Sequence, residues 1–306
     1  MSTQGLLVVI GGPTASGKTG VAVRVAKHFG TEVISGDSRQ FYQAMRIGTA
    51  RPAEDELLGV KHHFLGHLDL QETWSAGEFA RQAEPVLQAL LTAHGIAVLV
   101  GGSGLYLDAL MHGLDPMPMV DHAVRERLQQ RFLQRGLPDL LAELERLDPA
   151  ISTVIDRHNP QRVIRALEVC LVSGKPFSAQ HSGPRQRTDL RVLRIAMDVP
   201  RDALYGAIDA RVDRMITDGL EEEARTLLPH RALNALRTVG YREFFAHFDG
   251  TLSREEAIDL IKQHTRNYAK RQLTWLRRDK GWRWMRPDDL PGLMALIESS
   301  RAHAPE

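Results

Sequence analysis

Cysteine is nearly absent from this sequence, which excludes an internal disulfide framework. Cys170 is the single cysteine among 306 residues, and this composition is typical of a reducing, cytoplasmic compartment. It lies in the apolar run Val169-Cys170-Leu171-Val172, which predicts a buried structural thiol. The 13 histidines have no cysteine partner at zinc-site spacing, so no structural metal is predicted.

Long apolar runs and an excess of one charge are also missing. No stretch reaches the roughly 18 consecutive apolar residues of a membrane span, and the first residues lack the features of a signal peptide. The sequence therefore predicts no membrane partner. The formal net charge is only +1, so a nucleic-acid partner would need a local basic surface.

Apolar runs alternate with helical periodicity in the first third of the chain. Residues 6–10, 32–35 and 96–100 have the composition of buried strands, and residues 79–91 have that of a helix. A further helix follows the first strand and is expected to end at Gly30. This alternation predicts an α/β fold, a P-loop NTPase-like parallel sheet flanked by helices.

The signals become entirely helical after Pro116-Met117-Pro118. Asp121 is a predicted N-cap and Gly136 a predicted stop, and a second helix is expected over residues 137–147. The third helix is predicted over residues 159–174, because asparagine followed by proline begins a helix well.

A return strand over residues 192–197 and a long helix over residues 254–278 are predicted in the remaining chain. We therefore expect an α/β core formed by residues 1–117 and 190–306. An all-helical insertion domain is expected over residues 118–189.

A phosphate-binding loop is the clearest motif. Gly12-Pro13-Thr14-Ala15-Ser16-Gly17-Lys18-Thr19 matches G-x-x-x-x-G-K-[ST] between a predicted strand and a predicted helix. The loop amides and the helix N-terminus attract an anion, Lys18 adds a full charge, and the Thr19 hydroxyl can bind Mg²⁺. We expect all eight residues to bind a diphosphate or triphosphate.

The acidic residue of the site is in an unusual place for an NTPase. Motor and switch NTPases carry a carboxylate at the end of a hydrophobic strand, whereas residues 96–100 lead into Gly101-Gly102-Ser103-Gly104. Asp37 instead follows the second strand, and strand ends of a doubly wound sheet share one crevice. This favours transfer between two substrates over hydrolysis.

Ordered segments beyond the loop resemble the tRNA dimethylallyltransferases (tRNA isopentenyltransferases). They are residues 37–42 (DSRQFY), 47–52 (IGTARP), 101–106 (GGSGLY), 159–168 (NPQRVIRALE), 239–242 (VGYR) and 270–277 (KRQLTWLR). Small departures from the family pattern are Ser103 for a usual threonine, Trp74 for a usual tyrosine, and Gly66-His67 for an acidic-aliphatic pair.

The resemblance implies a reaction and roles for its residues. A dimethylallyl group would pass from dimethylallyl diphosphate to the N6 amine of the adenosine 3′ of the anticodon, in tRNAs reading codons that begin with U. Asp37 would accept a proton from that amine, or hydrogen-bond to it. Lys18, Thr19, Mg²⁺ and Arg211 would stabilise the leaving diphosphate. Spacing alone does not separate Arg211 from Arg214, and the choice rests on the resemblance. The family also suggests a monomer.

The predicted partner is the anticodon stem-loop of tRNA, with the target base flipped out. Lys262, Arg266 and Lys270 share one predicted helix face, joined nearby by Arg271, Arg277 and Arg278, with Asp279 as the only nearby acid. The full set of predicted tRNA-binding residues is Asp37, Ser38, Arg39, Gln40, Ser103, Arg125, Gln161, Arg162, Val163, Ile164, Arg165, Arg237, Gly240, Tyr241, Arg242, Lys270, Arg271, Gln272, Trp275 and Arg277.

Two other functions use similar features. A small-molecule or nucleoside kinase could combine a phosphate loop with an aspartate after the second strand, but it would consume ATP. A nucleic-acid-binding NTPase should hydrolyse nucleotide on RNA, and the missing strand-end carboxylate disfavours it.

Overall fold

The computed structural model describes residues 5–113, 121–180, 187 and 190–302, and this part contains a six-stranded parallel sheet. Its strands are β1 (Leu6–Gly11), β2 (Val33–Ser35), β3 (His62–His63), β4 (Ile96–Gly101), β5 (Arg191–Met197) and β6 (Arg283–Met285). Their order is β3-β2-β4-β1-β5-β6, and every neighbouring pair is parallel. The predicted parallel α/β class is confirmed.

The described helices, in chain order, are α1 (Lys18–Phe29), α2 (Glu54–Leu57), α3 (Ala76–His94), α4 (Gly104–His112), α5 (His122–Leu147), α6 (Pro149–Val154), α7 (Pro160–Ser173), α8 (Arg201–Thr217), α9 (Leu220–Leu227), α10 (Tyr241–Phe248), α11 (Arg254–Arg277) and α12 (Leu290–Ala302). No helix in the described ranges is both long and apolar enough to cross a membrane.

The central strand β1 is buried on both faces, which explains its unbroken apolar sequence. Leu7 and Val9 pack on one side with residues of α3 and α11 such as Phe79. Val8 and Ile10 pack on the other side with α1 and α12, where Val25 is buried. Successive strand side chains point to opposite faces, so a strand between two helical layers needs an apolar residue at every position.

The chain divides into two units. The first comprises residues 1–111 and 187–306, and the second comprises residues 112–186. The predicted insertion begins at residue 118 and ends at residue 189, and both lie outside the described residues. The predicted break at Pro116-Met117-Pro118 lies outside them as well.

The second unit is built from α5, α6 and α7 around its own apolar core. The Asp121 carboxylate accepts from the Val124 N–H, and the Asn159 side chain accepts from the Arg162 N–H, so both predicted caps are confirmed. Gly136, with φ 78°, interrupts α5 at the predicted stop. Cys170 is buried as predicted, and burial raises the pKa of its thiol.

Short edge elements escaped the sequence prediction. β3 and β6 contain only two and three residues, too few for a visible alternation. Helix α3 starts at Ala76, ahead of the predicted residue 79, because the Ser75 hydroxyl accepts from the Glu78 N–H and caps it.

Candidate active site

The ends of three neighbouring strands form one edge of the sheet. Because β4 lies between β1 and β2, the phosphate loop, Ser103 and Asp37 follow strands that lie side by side. The Gly36 N–H donates to the Val100 carbonyl at 2.7 Å, and a Cβ at Gly101 would meet the Gly36 carbonyl oxygen. The turn after β2, which carries Asp37, and the end of β4 are therefore in direct backbone contact.

The phosphate loop is held in a conformation suited to an anion. Gly17 (φ 78°) and Ala15 (φ 63°) are both in the left-handed region, which is rare for a residue with a Cβ and recurs at ligand loops. Helix α1 begins directly after Gly17, so its first N–H groups and its dipole face the loop. The Ser16 hydroxyl is buried and has no hydrogen-bond partner within the described structure.

Lys18 carries a charge that the protein leaves largely uncompensated. Its Nζ donates to the Pro13 carbonyl at 3.3 Å, and no described carboxylate forms an ion pair with it. Burial lowers the pKa of Lys18 from its ordinary value to about 8; the charge of Asp37 opposes this shift, and that of Arg211 adds to it. A bound polyanion would supply the missing compensation.

Arg211 closes the loop from the side of α8. Its Nη1 donates to the Thr14 hydroxyl at 3.2 Å, while Arg214 is exposed on the same helix. Burial lowers the pKa of Arg211, and the charge of Asp37 partly offsets that effect. The contact with Thr14 distinguishes Arg211 from Arg214, which spacing along the helix could not do.

Gln272 of α11 ties the loop to the end of β4. Its Oε1 accepts from the Thr14 N–H at 2.9 Å, and its Nε2 donates to the Gly102 carbonyl at 2.9 Å. A Cβ at Gly102 would collide with this amide. Gln272 is 6% exposed, and both ends of its amide brace the loop. Its predicted tRNA contact stays a prediction.

Asp37 lies half-buried in a tight turn after β2. Its carbonyl accepts from the Gln40 N–H at 3.1 Å, and its Oδ1 accepts from the Arg39 N–H at 3.3 Å. The N–H and Oγ of Ser38 each lie 3.1 Å from the Ser103 Oγ. The Ser103 hydroxyl therefore ties the residue next to Asp37 to the loop after β4.

Tyr268 is a site residue that the sequence prediction missed. It hydrogen-bonds to the Ser103 side chain, and its pKa is raised by burial and by the negative charge of Asp37. By its spacing from Ile261 and Leu276, Tyr268 is a member of an apolar stripe along α11. Only the neighbouring loops reveal the role of its hydroxyl.

A metal would find few protein ligands here. No three His, Cys, Asp or Glu side chains converge into a metal site anywhere in the described ranges. Thr19 is half-buried in the first turn of α1, and a hydroxyl there fits Mg²⁺ held mainly by phosphate oxygens and water.

Several predicted tRNA contacts in the first unit are exposed cations. Arg237, Lys270, Arg271 and Arg277 are exposed, and Arg242 is half-exposed beside Glu243. Arg39 is half-buried, and its Nη1 donates to the Asn234 carbonyl at 3.3 Å.

Other predicted contacts in this unit are interior groups. Tyr241 is 0% exposed, and Gly240 is buried with its N–H donating to Glu243 Oε2 at 2.7 Å. In this structure the Tyr241 side chain is therefore not exposed to solvent, and the Gly240 N–H is engaged within the protein; the predicted tRNA contacts of both residues stay predictions. Trp275 is half-buried, with its ring 6.0 Å from that of Trp282.

The predicted basic face of α11 is only partly free. Lys262 pairs with Asp213 at 2.5 Å, and Arg266 pairs with Asp209 at 2.5 Å. Asp279 is thus not the only acid nearby, because α8 supplies two more. The exposed positive charge lies in the C-terminal half of the helix, from Lys270 onward.

In the second unit the predicted contacts also divide by burial. Gln161 and Arg162 are exposed, whereas Val163 and Ile164 are 0% and 2% exposed within the helical core. The side chains of these two apolar residues are core groups in this structure, and their predicted tRNA contacts stay predictions.

Arg125 and Arg165 meet on one buried carboxylate. Glu168 Oε2 lies 2.9 Å from Arg125 Nη2 and 3.1 Å from Arg165 Nη1, and Glu168 is 0% exposed. The side chains of both arginines remain about one-third exposed.

Comparison with known proteins gives one consistent family. The family model described as IPP transferase matches residues 40–279. A tRNA dimethylallyltransferase of Christiangramia forsetii is 46% identical over 92% of this chain and 94% of its own length. One of Cytophaga hutchinsonii is 43% identical over 96% of both.

Solved structures show the same likeness. The full-length tRNA isopentenylpyrophosphate transferase of Bacillus halodurans has a TM-score of 0.71 at 34% identity, covering 97% of this chain and 96% of that one. A eukaryotic dimethylallyltransferase, described as acting on tRNA, has a TM-score of 0.75 at 27% identity, covering 97% and 77%.

Proposed function

The chain belongs to the IPP transferase family, and we propose that it takes its allyl group from dimethylallyl diphosphate. It is an enzyme that dimethylallylates tRNA, as its relatives are named for doing. The proposed acceptor is the N6 amine of the adenosine 3′-adjacent to the anticodon, in tRNAs that read codons beginning with U. We further propose that the enzyme acts as a monomer.

The donor diphosphate is proposed to lie in the loop Gly12 to Thr19. The loop amides, the α1 dipole and the Lys18 ammonium supply positive charge there, and Arg211 adds a second cation at Thr14. The Thr19 hydroxyl would hold Mg²⁺ beside the diphosphate oxygens. When bound, Mg²⁺ would neutralise charge on the leaving group.

Asp37 is proposed to activate the acceptor. An exocyclic amine is a weak nucleophile because its lone pair is delocalised into the ring. As N6 bonds to the allylic carbon, the carbon–oxygen bond to diphosphate breaks, and the N6 proton passes to the Asp37 carboxylate. The negative charge on diphosphate meets the preorganised cations of the loop.

The proximity of Asp37 to the phosphate loop is the observation that supports its assignment as the base. Asp37 lies close enough for its charge to influence the pKa values of Lys18, Arg211 and Tyr268. One carboxylate thus shares a sheet edge with the proposed diphosphate loop, and this arrangement supports transfer from a diphosphate to a neutral amine.

The variant Asp37→Ala tests the assigned base. Donor and tRNA binding should be retained, while kcat should fall on the order of 100- to 10,000-fold, the range of general-base catalysis. The exposed aspartate variant Asp259→Ala serves as the control. Near-normal turnover of Asp37→Ala would remove Asp37 from the catalytic role.

A further inference from the structure

One carboxylate outside the phosphate loop accepts hydrogen bonds from three consecutive backbone N–H groups. Glu223 of α9 accepts from the N–H groups of Arg46 at 3.0 Å and Ile47 at 2.8 Å through Oε2, and from that of Gly48 at 2.9 Å through Oε1. Three converging backbone donors form a nest that only an anionic acceptor satisfies well.

Tyr241 completes this arrangement from the interior. Its hydroxyl donates to Glu223 Oε1 at 2.7 Å, and burial together with the charge of Glu223 raises its pKa. A Cβ at Gly48 would collide with the Tyr241 ring. Glu223 therefore accepts four hydrogen bonds in a fixed geometry. The buried Tyr241 hydroxyl holds the Glu223 carboxylate from the interior of the protein.

The turn held by Glu223 leads directly to Asp37. The carbonyls of Thr49 and Ala50 both accept from Gln40 Nε2, at 3.1 and 3.0 Å. The Gln40 N–H in turn donates to the Asp37 carbonyl at 3.1 Å. A continuous set of hydrogen bonds thus runs from Tyr241 through Glu223 and residues 46–50 to the turn that carries the proposed base.

We propose that Glu223, held by Tyr241, is a positioning residue that fixes the orientation of the Asp37 turn. The proposal rests on the catalytic role of Asp37 given above. It predicts that loosening Glu223 reduces turnover and leaves diphosphate binding nearly unchanged, because the phosphate loop is braced separately by Gln272 and Arg211.

The adjacent residue supplies a matched control. Glu222 is exposed on the same helix, and its carboxylate forms no hydrogen bond or ion pair within the described residues. Glu223→Gln keeps the shape of the side chain and removes the charge. Tyr241→Phe removes only the hydroxyl that donates to Glu223. Glu222→Gln makes the same charge change at a side chain that does not contact residues 46–48.

Kinetics with dimethylallyl diphosphate and unmodified tRNA test the effect. We expect kcat of Glu223→Gln to fall on the order of 10- to 100-fold, as small misplacements of catalytic groups do, with the KM for the donor changed less than about twofold. Tyr241→Phe should lose a smaller factor, and Glu222→Gln should match the parent. A rise in donor KM with kcat intact would overturn the positioning role.

Amide hydrogen exchange in the free protein tests the contact without any reference to catalysis. The N–H groups of residues 46–48 should be protected in the parent and in Glu222→Gln, and should exchange faster in Glu223→Gln while α1 stays protected. Rapid exchange of residues 46–48 in the parent would refute the contact between Glu223 and this turn. If that contact is found but Asp37→Ala stays active, the proposed catalytic role of Asp37 fails and the contact of Glu223 with the turn stands.

Discussion

At the scale of residues, Lys18 shows how burial prepares a side chain for an anion. Its pKa is lowered to about 8 because the ammonium loses water without gaining a carboxylate in contact. Between that value and its ordinary pKa of 10.5, the folded protein binds fewer protons than the unfolded chain. Lys18 therefore makes the free energy of unfolding rise with pH in this window.

Ligand binding should show the opposite dependence on pH. The diphosphate prefers the charged lysine, so affinity for dimethylallyl diphosphate should fall as pH rises above about 8, approaching tenfold per pH unit. Titration calorimetry between about pH 7.5 and 9.5 measures this. In Lys18→Arg, whose guanidinium stays charged, the affinity should be lower overall but nearly flat. Parallel pH profiles for the two proteins would contradict the role of Lys18.

Residues were predictable where their partners are close in sequence. The loop from Gly12 to Thr19 is contiguous, and its glycines and lysine suffice to identify it. Gln272 contacts Thr14 across 258 positions, and Glu223 contacts Arg46 across 177. No local pattern marks such a side chain, so the bracing of the loop and the positioning of the Asp37 turn became visible only in the fold.

At the scale of elements, α11 serves two regions of the molecule. Its buried side braces the phosphate loop through Gln272, and its exposed C-terminal half carries Lys270, Arg271 and Arg277. The basic spacing of the helix was predictable. The acids of α8 that neutralise Lys262 and Arg266 were not, because they belong to another element.

The free half of α11 should dominate its contribution to tRNA binding. Lys270→Glu combined with Arg271→Glu should weaken tRNA binding and reduce the slope of log affinity against log salt by about 2. The same charge change at Arg24 and Lys27, both exposed on α1, is the control. Affinity should be measured at several salt concentrations. Equal losses in the two double variants would mean that bulk charge, rather than α11, attracts tRNA.

The departures from the family pattern also make sense at this scale. His67 and Trp74 are in edge-to-face contact at 4.4 Å, and both rings contact Phe41. Two substitutions that are separate in sequence therefore share one aromatic cluster beside β2. Their proximity was invisible to motif comparison.

At the scale of the whole molecule, strand order decides which loops meet. The alternation of strands and helices predicted a parallel sheet, and Asp37 was expected beside the phosphate loop. In the structure β4 lies between β1 and β2, so both loops end at the same edge of the sheet and the loop that carries Ser103 follows the strand between them. Sequence periodicity cannot supply strand order, because any parallel arrangement buries the same apolar residues.

The central claim is that the site at this sheet edge transfers an allyl group to tRNA and does not consume ATP. The most direct measurement incubates the protein with Mg²⁺, labelled dimethylallyl diphosphate and unmodified tRNA, with labelled ATP in a parallel reaction. Label should enter tRNA only from the allylic donor, at an adenosine next to the anticodon. Consumption of ATP without allyl transfer would contradict the account and favour a kinase or an NTPase.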